Sequence, residues 1–287
     1  MAAKAVEQRT RRLSPLVSTE ALAQHPEWRV FDCRHDLADP AAGERLYAES
    51  HLPGALFAHL DRDLSAPKTG TNGRHALPEA KTFIGWLGKQ GLKLADTVVC
   101  YDAGSGAMAS RLWWMLRWAG HEQAAVLDGG FAKWRREGRP ATAEAPRFEP
   151  LAYPGRARAS MHASLAYVEK KLKRAALLDA RAPARYRGEQ EPIDPVAGRI
   201  PGAKNRYSND NLSPEGIFKS PEVLRAEFEK ILSGRNPSEV INYCGSGVAA
   251  CHNALAMELA GLTGSRVYIG SWSEWSADPT RPISRSA

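Results

Sequence analysis

Short runs of consecutive apolar, β-favouring residues alternate along this chain with stretches whose apolar residues recur at helical intervals. Val98, Val99, Cys100 and Tyr101 form one such run, and Val240, Ile241, Asn242 and Tyr243 another. A run of four, bounded by turn residues, fits a strand buried on both faces. Each ends at a glycine-bearing turn, and the period then changes. Leu112, Met115, Leu116 and Ala119 recur about one helical turn apart in the first half, as Val248, Leu255, Leu259 and Leu262 do in the second. Strand, turn, helix and strand in repetition predict an α/β fold, with a largely parallel sheet flanked by helices.

The whole alternation occurs twice. VFDCR at Val30–Arg34 is echoed by LLDAR at Leu177–Arg181, and HLPGA at His51–Ala55 by RIPGA at Arg199–Ala203. TVVCYDAGSG at Thr97–Gly106 is echoed by EVINYCGSG at Glu239–Gly247, and LDGGFAKW at Leu127–Trp134 by YIGSWSEW at Tyr268–Trp275. Matched segments in one order and at nearly one offset mean two copies of one domain. Between them, Arg135–Ser160 holds four prolines and little periodicity. Proline disfavours helix and strand interiors, so an extended connection is expected. The predicted organisation is an N-terminal domain over residues 1–140, a linker over 141–158 and a C-terminal domain over 159–287.

Composition narrows the class. With 287 residues, 43% hydrophobic and 25% charged, each copy can bury a core of its own in water. No apolar run reaches the roughly 20 residues that a membrane-spanning helix needs. Met1–Pro15 carries Arg9, Arg11 and Arg12 without the apolar block of a secretory signal, and Glu7 argues against a mitochondrial address, so cytoplasm is expected. The net charge of +7 is spread among acids with no aromatic-interleaved basic stripe. That pattern excludes a nucleic-acid surface and leaves either a mild field that draws in small anions or a plain solvated surface.

The four cysteines, Cys33, Cys100, Cys244 and Cys251, form no CxxC pair and no zinc-like cluster, so free thiols in a reducing compartment are expected and no metal or cofactor is implied. Cys33 and Cys100 read as small core residues in strands, and Cys251 as one in a helix. Cys244 differs. It follows a buried strand, at the sheet end where α/β folds place ligands, and precedes a helix whose first amides lack partners. Those amides and the helix dipole favour a thiolate, the nucleophilic form. Gly245 and Gly247 let the loop curl its N–H groups towards the sulfur.

The loop CGSGVA, the trailing YIGSWSEW, the GRIPGA segment and the two-copy layout resemble the tandem-domain rhodanese sulfurtransferases, over about Leu16 to Pro282. The resemblance implies two rhodanese-like domains and a cysteine that takes sulfane sulfur from a donor, holds it as a persulfide and passes it on. Cys244 is that residue by resemblance, with Gly245, Ser246, Gly247, Val248 and Ala249 completing its loop. Asp102 stands at the corresponding place of the first copy, which resembles the family's inactive domain. Members with a neutral loop, as here, prefer 3-mercaptopyruvate, whereas thiosulfate-preferring members carry basic loop residues. Arg185, in DARAPARYRG, matches the family's substrate arginine, and a guanidinium can grip a carboxylate through two hydrogen bonds. Ser246, His75 in GRHALP and Asp61 in FAHLDRDL match a serine–histidine–aspartate relay that would move a proton as the donor's carbon–sulfur bond breaks.

Two departures keep the donor open. Ile193, in EPIDP, stands near the place of a second substrate arginine, for which Arg187 could compensate. Arg199 replaces the histidine usual before IPGA, which the first copy keeps as His51. Thiosulfate is therefore the alternative donor, and thioredoxin, a small thiol or cyanide are possible acceptors. A cysteine phosphatase, on a related fold, would need an arginine six residues after the cysteine, where this chain has Ala250. A non-catalytic module that binds a partner or carries persulfide is the other rival, against which Arg185 and the relay residues count.

Overall fold

The computed structural model describes residues 13–285, so the arginine-bearing segment with Arg9, Arg11 and Arg12 lies outside the described residues. The first half runs β1 (Leu16–Val17), α1 (Thr19–Ala23), β2 (Arg29–Asp32), α2 (Ala42–Glu49), β3 (Ala55–Phe57), α3 (Ala80–Lys89), β4 (Val98–Tyr101), α4 (Ala107–Trp118), β5 (Ala124–Leu127) and α5 (Gly130–Arg136). Its strands are all parallel, in the order β1-β5-β4-β2-β3. The second half runs α6 (Leu165–Lys171), β6 (Ala176–Asp179), α7 (Pro183–Arg187), β7 (Lys204–Asn205), α8 (Pro221–Leu232), β8 (Val240–Tyr243), α9 (Ala249–Leu259), β9 (Arg266–Val267) and α10 (Ser271–Trp275). It repeats the arrangement as a parallel sheet β7-β6-β8-β9, with a single parallel bridge from His162 to Val267 in the place of β1.

The repeat extends to buried charges. Arg34 grips Asp32 through two nitrogens, and Arg181 grips Asp179 in the same way, with all four side chains 5% exposed or less. Removing one partner of such a pair strands the other charge and costs about 3–5 kcal/mol. The departure at Arg199 belongs to this framework too. His51 stacks on Tyr47 and bonds the Tyr47 carbonyl; Arg199 lies over Tyr186 and donates to the Tyr186 carbonyl. Arginine here does a histidine's structural work, away from Cys244.

α4 and α9 are apolar nearly all round, the signature of helices covered on every side. Each packs on its own sheet and also against the other, joining the halves. One hydrophobic cluster therefore runs through both, with Trp113, Trp114 and Met115 from α4 and Leu255 and Met257 from α9. The proline-rich connection has no regular structure but is pinned to the first half. Leu151 N–H donates to the Gly88 carbonyl, Arg29 lies 3.3 Å from the Phe148 ring centroid, and the His121 ring bonds the Tyr153 hydroxyl. Among the described residues, no helix is long and apolar enough to cross a membrane.

Candidate active site

Cys244 follows β8 and is only 3% exposed, at the end of the sheet that faces the first half. Its sulfur accepts the Gly247 N–H at 3.1 Å. Gly247 adopts φ +80°, and a Cβ there would come within 2.3 Å of the Ile269 carbonyl oxygen, so only glycine allows this curl. The Cys244 N–H donates to the Ser271 hydroxyl at 3.1 Å, which in turn donates to the Tyr268 carbonyl. Ser271 itself has φ +56°, where the first half has Gly130 at φ +52°. A left-handed non-glycine residue costs about 1–2 kcal/mol, so strain is held at the position that anchors the cysteine.

The matching place in the first half confirms the repeat atom by atom. The Trp272 and Ser273 amides donate to the carbonyls of Cys244 and Gly245, as those of Phe131 and Ala132 donate to Asp102 and Ala103. Asp102 thus occupies the cysteine's position. Its carboxylate accepts four amides, from Gly104, Gly106, Met108 and Ala109. The loop before α4 is a filled anion cradle. The equivalent loop before α9 offers the same kind of setting to sulfur.

Residues from the first half complete the site. His75 Nδ1 lies 2.8 Å from Ser246 Oγ, and His75 Nε2 lies 3.4 Å from Asp61 Oδ1. Burial, then the Arg111 charge, push the His75 pKa down to about 3, so the ring is neutral near pH 7. A neutral ring facing aspartate through Nε2 presents Nδ1 as an acceptor for the Ser246 proton. His35, His59 and Asp61 also bring three potential metal-donor atoms within 4.8 Å of one another. His59 Nδ1 is already engaged by the Asp61 and Arg62 amides, however, and the Asp61 carboxylate faces Lys68 at 3.6 Å and His35 Nε2 at 3.9 Å.

Above the sulfur lies a cleft of about 280 Å³ whose walls include Cys244, Gly245, Ser246, Val248 and Ala249. Gly247 is not part of that wall and meets the sulfur through its N–H. Arg185 reaches the cleft from α7 and is joined there by Arg74, from the segment of His75. A Cβ on Gly245 would meet Arg74 Nη2 at 2.9 Å and the two terminal Arg185 nitrogens at 3.3 and 3.4 Å. Both guanidiniums are tied to Asp194, and Arg185 also to Glu191. Arg187 faces solvent, paired with Glu189, so it does not supply the second arginine. Ile193 sits at the cleft mouth, 45% exposed, immediately before the buried Asp194.

A family model described as "Rhodanese-like domain" matches residues 18–137 and again 164–278. The chain belongs to the rhodanese family. A Pseudomonas aeruginosa relative named "Probable 3-mercaptopyruvate sulfurtransferase" is 46% identical over 275 residues, covering 93% of this chain and 97% of that one. The Mus musculus "Thiosulfate sulfurtransferase" is 37% identical over 277 residues, with 91% of each chain covered. Among solved structures, "3-mercaptopyruvate sulfurtransferase from Leishmania major" superposes with a TM-score of 0.81 at 31% identity, over 91% of this chain and 74% of that one.

In this rhodanese chain the structure brings Cys244, Ser246, His75, Asp61 and Arg185 together as the sequence motifs suggest. Arg74, Asp194, Ser271 and Arg111 are the additions. Arg74 is adjacent to His75 in GRHALP, a signal available in the sequence. For Ser271, the signal was the replacement of Gly130 between otherwise matched segments.

Proposed function

We propose that this rhodanese is a sulfurtransferase that takes sulfur from 3-mercaptopyruvate and passes it, through a Cys244 persulfide, to a thiol or cyanide. The reading is supported most directly by Arg74 and Arg185, two guanidiniums fixed on one aspartate beside the nucleophile, facing a loop that carries no cation. A planar carboxylate next to a ketone suits two such forks. The Pseudomonas aeruginosa relative's name points to the same donor.

In the first half-reaction the Cys244 thiolate attacks the donor's sulfur. The S–S bond forms as the donor's C–S bond breaks, and the electron pair remains on the methylene carbon as pyruvate enolate. The proton carried on the donor's sulfur moves to that carbon, which leaves pyruvate and an anionic persulfide. Ser246 and the neutral His75 are the proposed carriers: the ring takes a proton through the serine hydroxyl and returns it the same way, while Asp61 steadies the charged ring. In the second half-reaction a nucleophile, whether a small thiol, a thioredoxin-type dithiol or cyanide, attacks the outer sulfur and Cys244 leaves as thiolate. The proposed compartment is the cytoplasm, supported by four cysteines that all stand free.

Thiosulfate is the second reading, favoured by the apolar Ile193 at the cleft mouth and by the Mus musculus relative's name. The test is pyruvate release from mercaptopyruvate, beside thiocyanate formation from thiosulfate and cyanide. Mercaptopyruvate is expected to be used at least ten-fold more efficiently, and Cys244→Ser to lose both activities. A Cys244→Ser protein that still transferred sulfur would sink the mechanism, and a strong thiosulfate preference would sink the donor.

A further inference from the structure

Arg111 is the most unusual charge in the molecule. It lies in α4, in the half that lacks the cysteine, and is 0% exposed. Among the described residues it forms no ion pair with a carboxylate. Instead its guanidinium donates to three carbonyls, those of Leu64, His75 and Gly247. A buried charge is retained only with compensation, and three neutral carbonyls compensate a full positive charge incompletely.

The three acceptors show what the residue spans. His75 belongs to the relay segment and Gly247 to the Cys244 loop, so Arg111 holds the two faces of the active site together. The anionic candidates within its electrostatic reach are Cys244 and Cys251. Cys251 donates its S–H to the Gly247 carbonyl at 3.2 Å, and burial pushes its pKa up to about 12, which keeps it a thiol. Cys244 instead accepts the N–H of Gly247, the residue whose carbonyl Arg111 bonds. The other charges at Cys244 are largely neutralised: Arg74 and Arg185 are tied to Asp194 and Glu191, and His75 is neutral.

We propose that Arg111 is the counter-charge of the Cys244 sulfur, a positioning residue supplied by the first half that keeps the thiolate, and then the persulfide, anionic in a buried site. Loss of this charge is felt strongly, because buried groups are screened less than exposed ones. The two-domain architecture thereby acquires a reason: the half without a nucleophile carries the cation that the nucleophile needs. The proposal concerns the sulfur itself and stands whichever donor is used.

The experiment compares iodoacetamide capture of Cys244 at pH 7 in wild type, Arg111→Lys and Arg111→Gln, with the labelled residue read by mass spectrometry and folding by circular dichroism. Both substitutions remove the forked contacts, but only lysine keeps the charge. Capture is expected to stay within about two-fold of wild type in Arg111→Lys and to fall at least five-fold in Arg111→Gln. Equal rates in the two variants would overturn the proposal and leave Arg111 as an interdomain strut. A second measurement leaves Arg111 in place, should the glutamine variant not fold. Cys244→Asp copies the Asp102 arrangement and should melt at least roughly 3 °C above the isosteric Cys244→Asn, since one sets an anion at the sulfur position and the other does not. An aspartate variant that melted level with or below the asparagine one would likewise refute it.

Discussion

At the scale of single residues, the site combines strain with charge. Ser271 holds the Cys244 N–H from a left-handed backbone that a glycine would adopt freely. Ser271→Gly removes both the strain and the hydroxyl. The expected result is a melting temperature equal to or above wild type together with a several-fold fall in sulfurtransferase kcat, read by thermal denaturation beside steady-state assay. A drop in stability without a change in kcat would mean the hydroxyl serves only folding. Arg74 is tested by Arg74→Gln, which retains hydrogen-bonding capacity but no charge. The KM for mercaptopyruvate should rise about ten-fold, the loss of one charge-assisted carboxylate contact, with a much smaller change in kcat. An unchanged KM would remove Arg74 from donor binding.

At the scale of elements, one strand–loop–helix unit has been put to two uses. The loops after β4 and β8 have the same length and the same flanking amide contacts, yet one is filled by its own Asp102 carboxylate and the other presents Cys244 to a cleft. Their left-handed glycines differ by one position and in surroundings. A Cβ on Gly247 would strike the Ile269 carbonyl at 2.3 Å, whereas one on Gly106 would meet the edge of the Phe218 ring at 3.3 Å. The buried Ile269 backbone, held between β9 and α10, yields less than a ring can. Gly247→Ala should therefore destabilise the fold by roughly 2–4 kcal/mol and abolish activity, while Gly106→Ala should cost about 1–2 kcal/mol, the left-handed penalty alone. Urea denaturation of both variants checks the order, and a reversal would mean that the ring is the more rigid neighbour.

For the whole molecule, packing between the halves sets the response to acid. The rings of His75, His162 and His252 are held neutral chiefly by burial, with pKa values pushed down to about 3, about 4 and about 4, and that of His121 is lowered also. His252 joins the halves directly, its Nε2 lying 3.0 Å from the Ser105 carbonyl oxygen. Unfolded histidines bind protons below about pH 6.5, whereas His75, His162 and His252 do so in the folded protein only near pH 3 to 4. Between those limits the unfolded chain binds more protons, so stability falls as pH drops from about 6.5 towards 4. Melting temperatures measured across pH 8 to 4 should be level above pH 7 and decline steadily below 6.5. A flat profile down to pH 4.5 would show that the rings are not held neutral.

The chain's local patterns were enough for the architecture and for singling out Cys244 as the proposed nucleophile. Strand, turn and helix each leave a periodic trace, the repeat displays itself as matched segments, and the Cys244 loop is contiguous, so its amides are chain neighbours of its sulfur. The proposed relay residues Ser246, His75 and Asp61, and Arg185, came from resemblance in motifs, because nothing local in GRHALP or FAHLDRDL says what those side chains will face. What tertiary structure alone decided is electrostatic and shared between the halves. Arg111 lies in the run SRLWWMLRW, where an arginine ordinarily turns to solvent, and only folding buries it against the carbonyls of Leu64, His75 and Gly247. Ile193 stands near the place expected of a second substrate arginine, and the arginine that shares Asp194 with Arg185 comes instead from the other half, as Arg74. Charges act through space at distances set by folding, and separation along the chain carries almost no record of them.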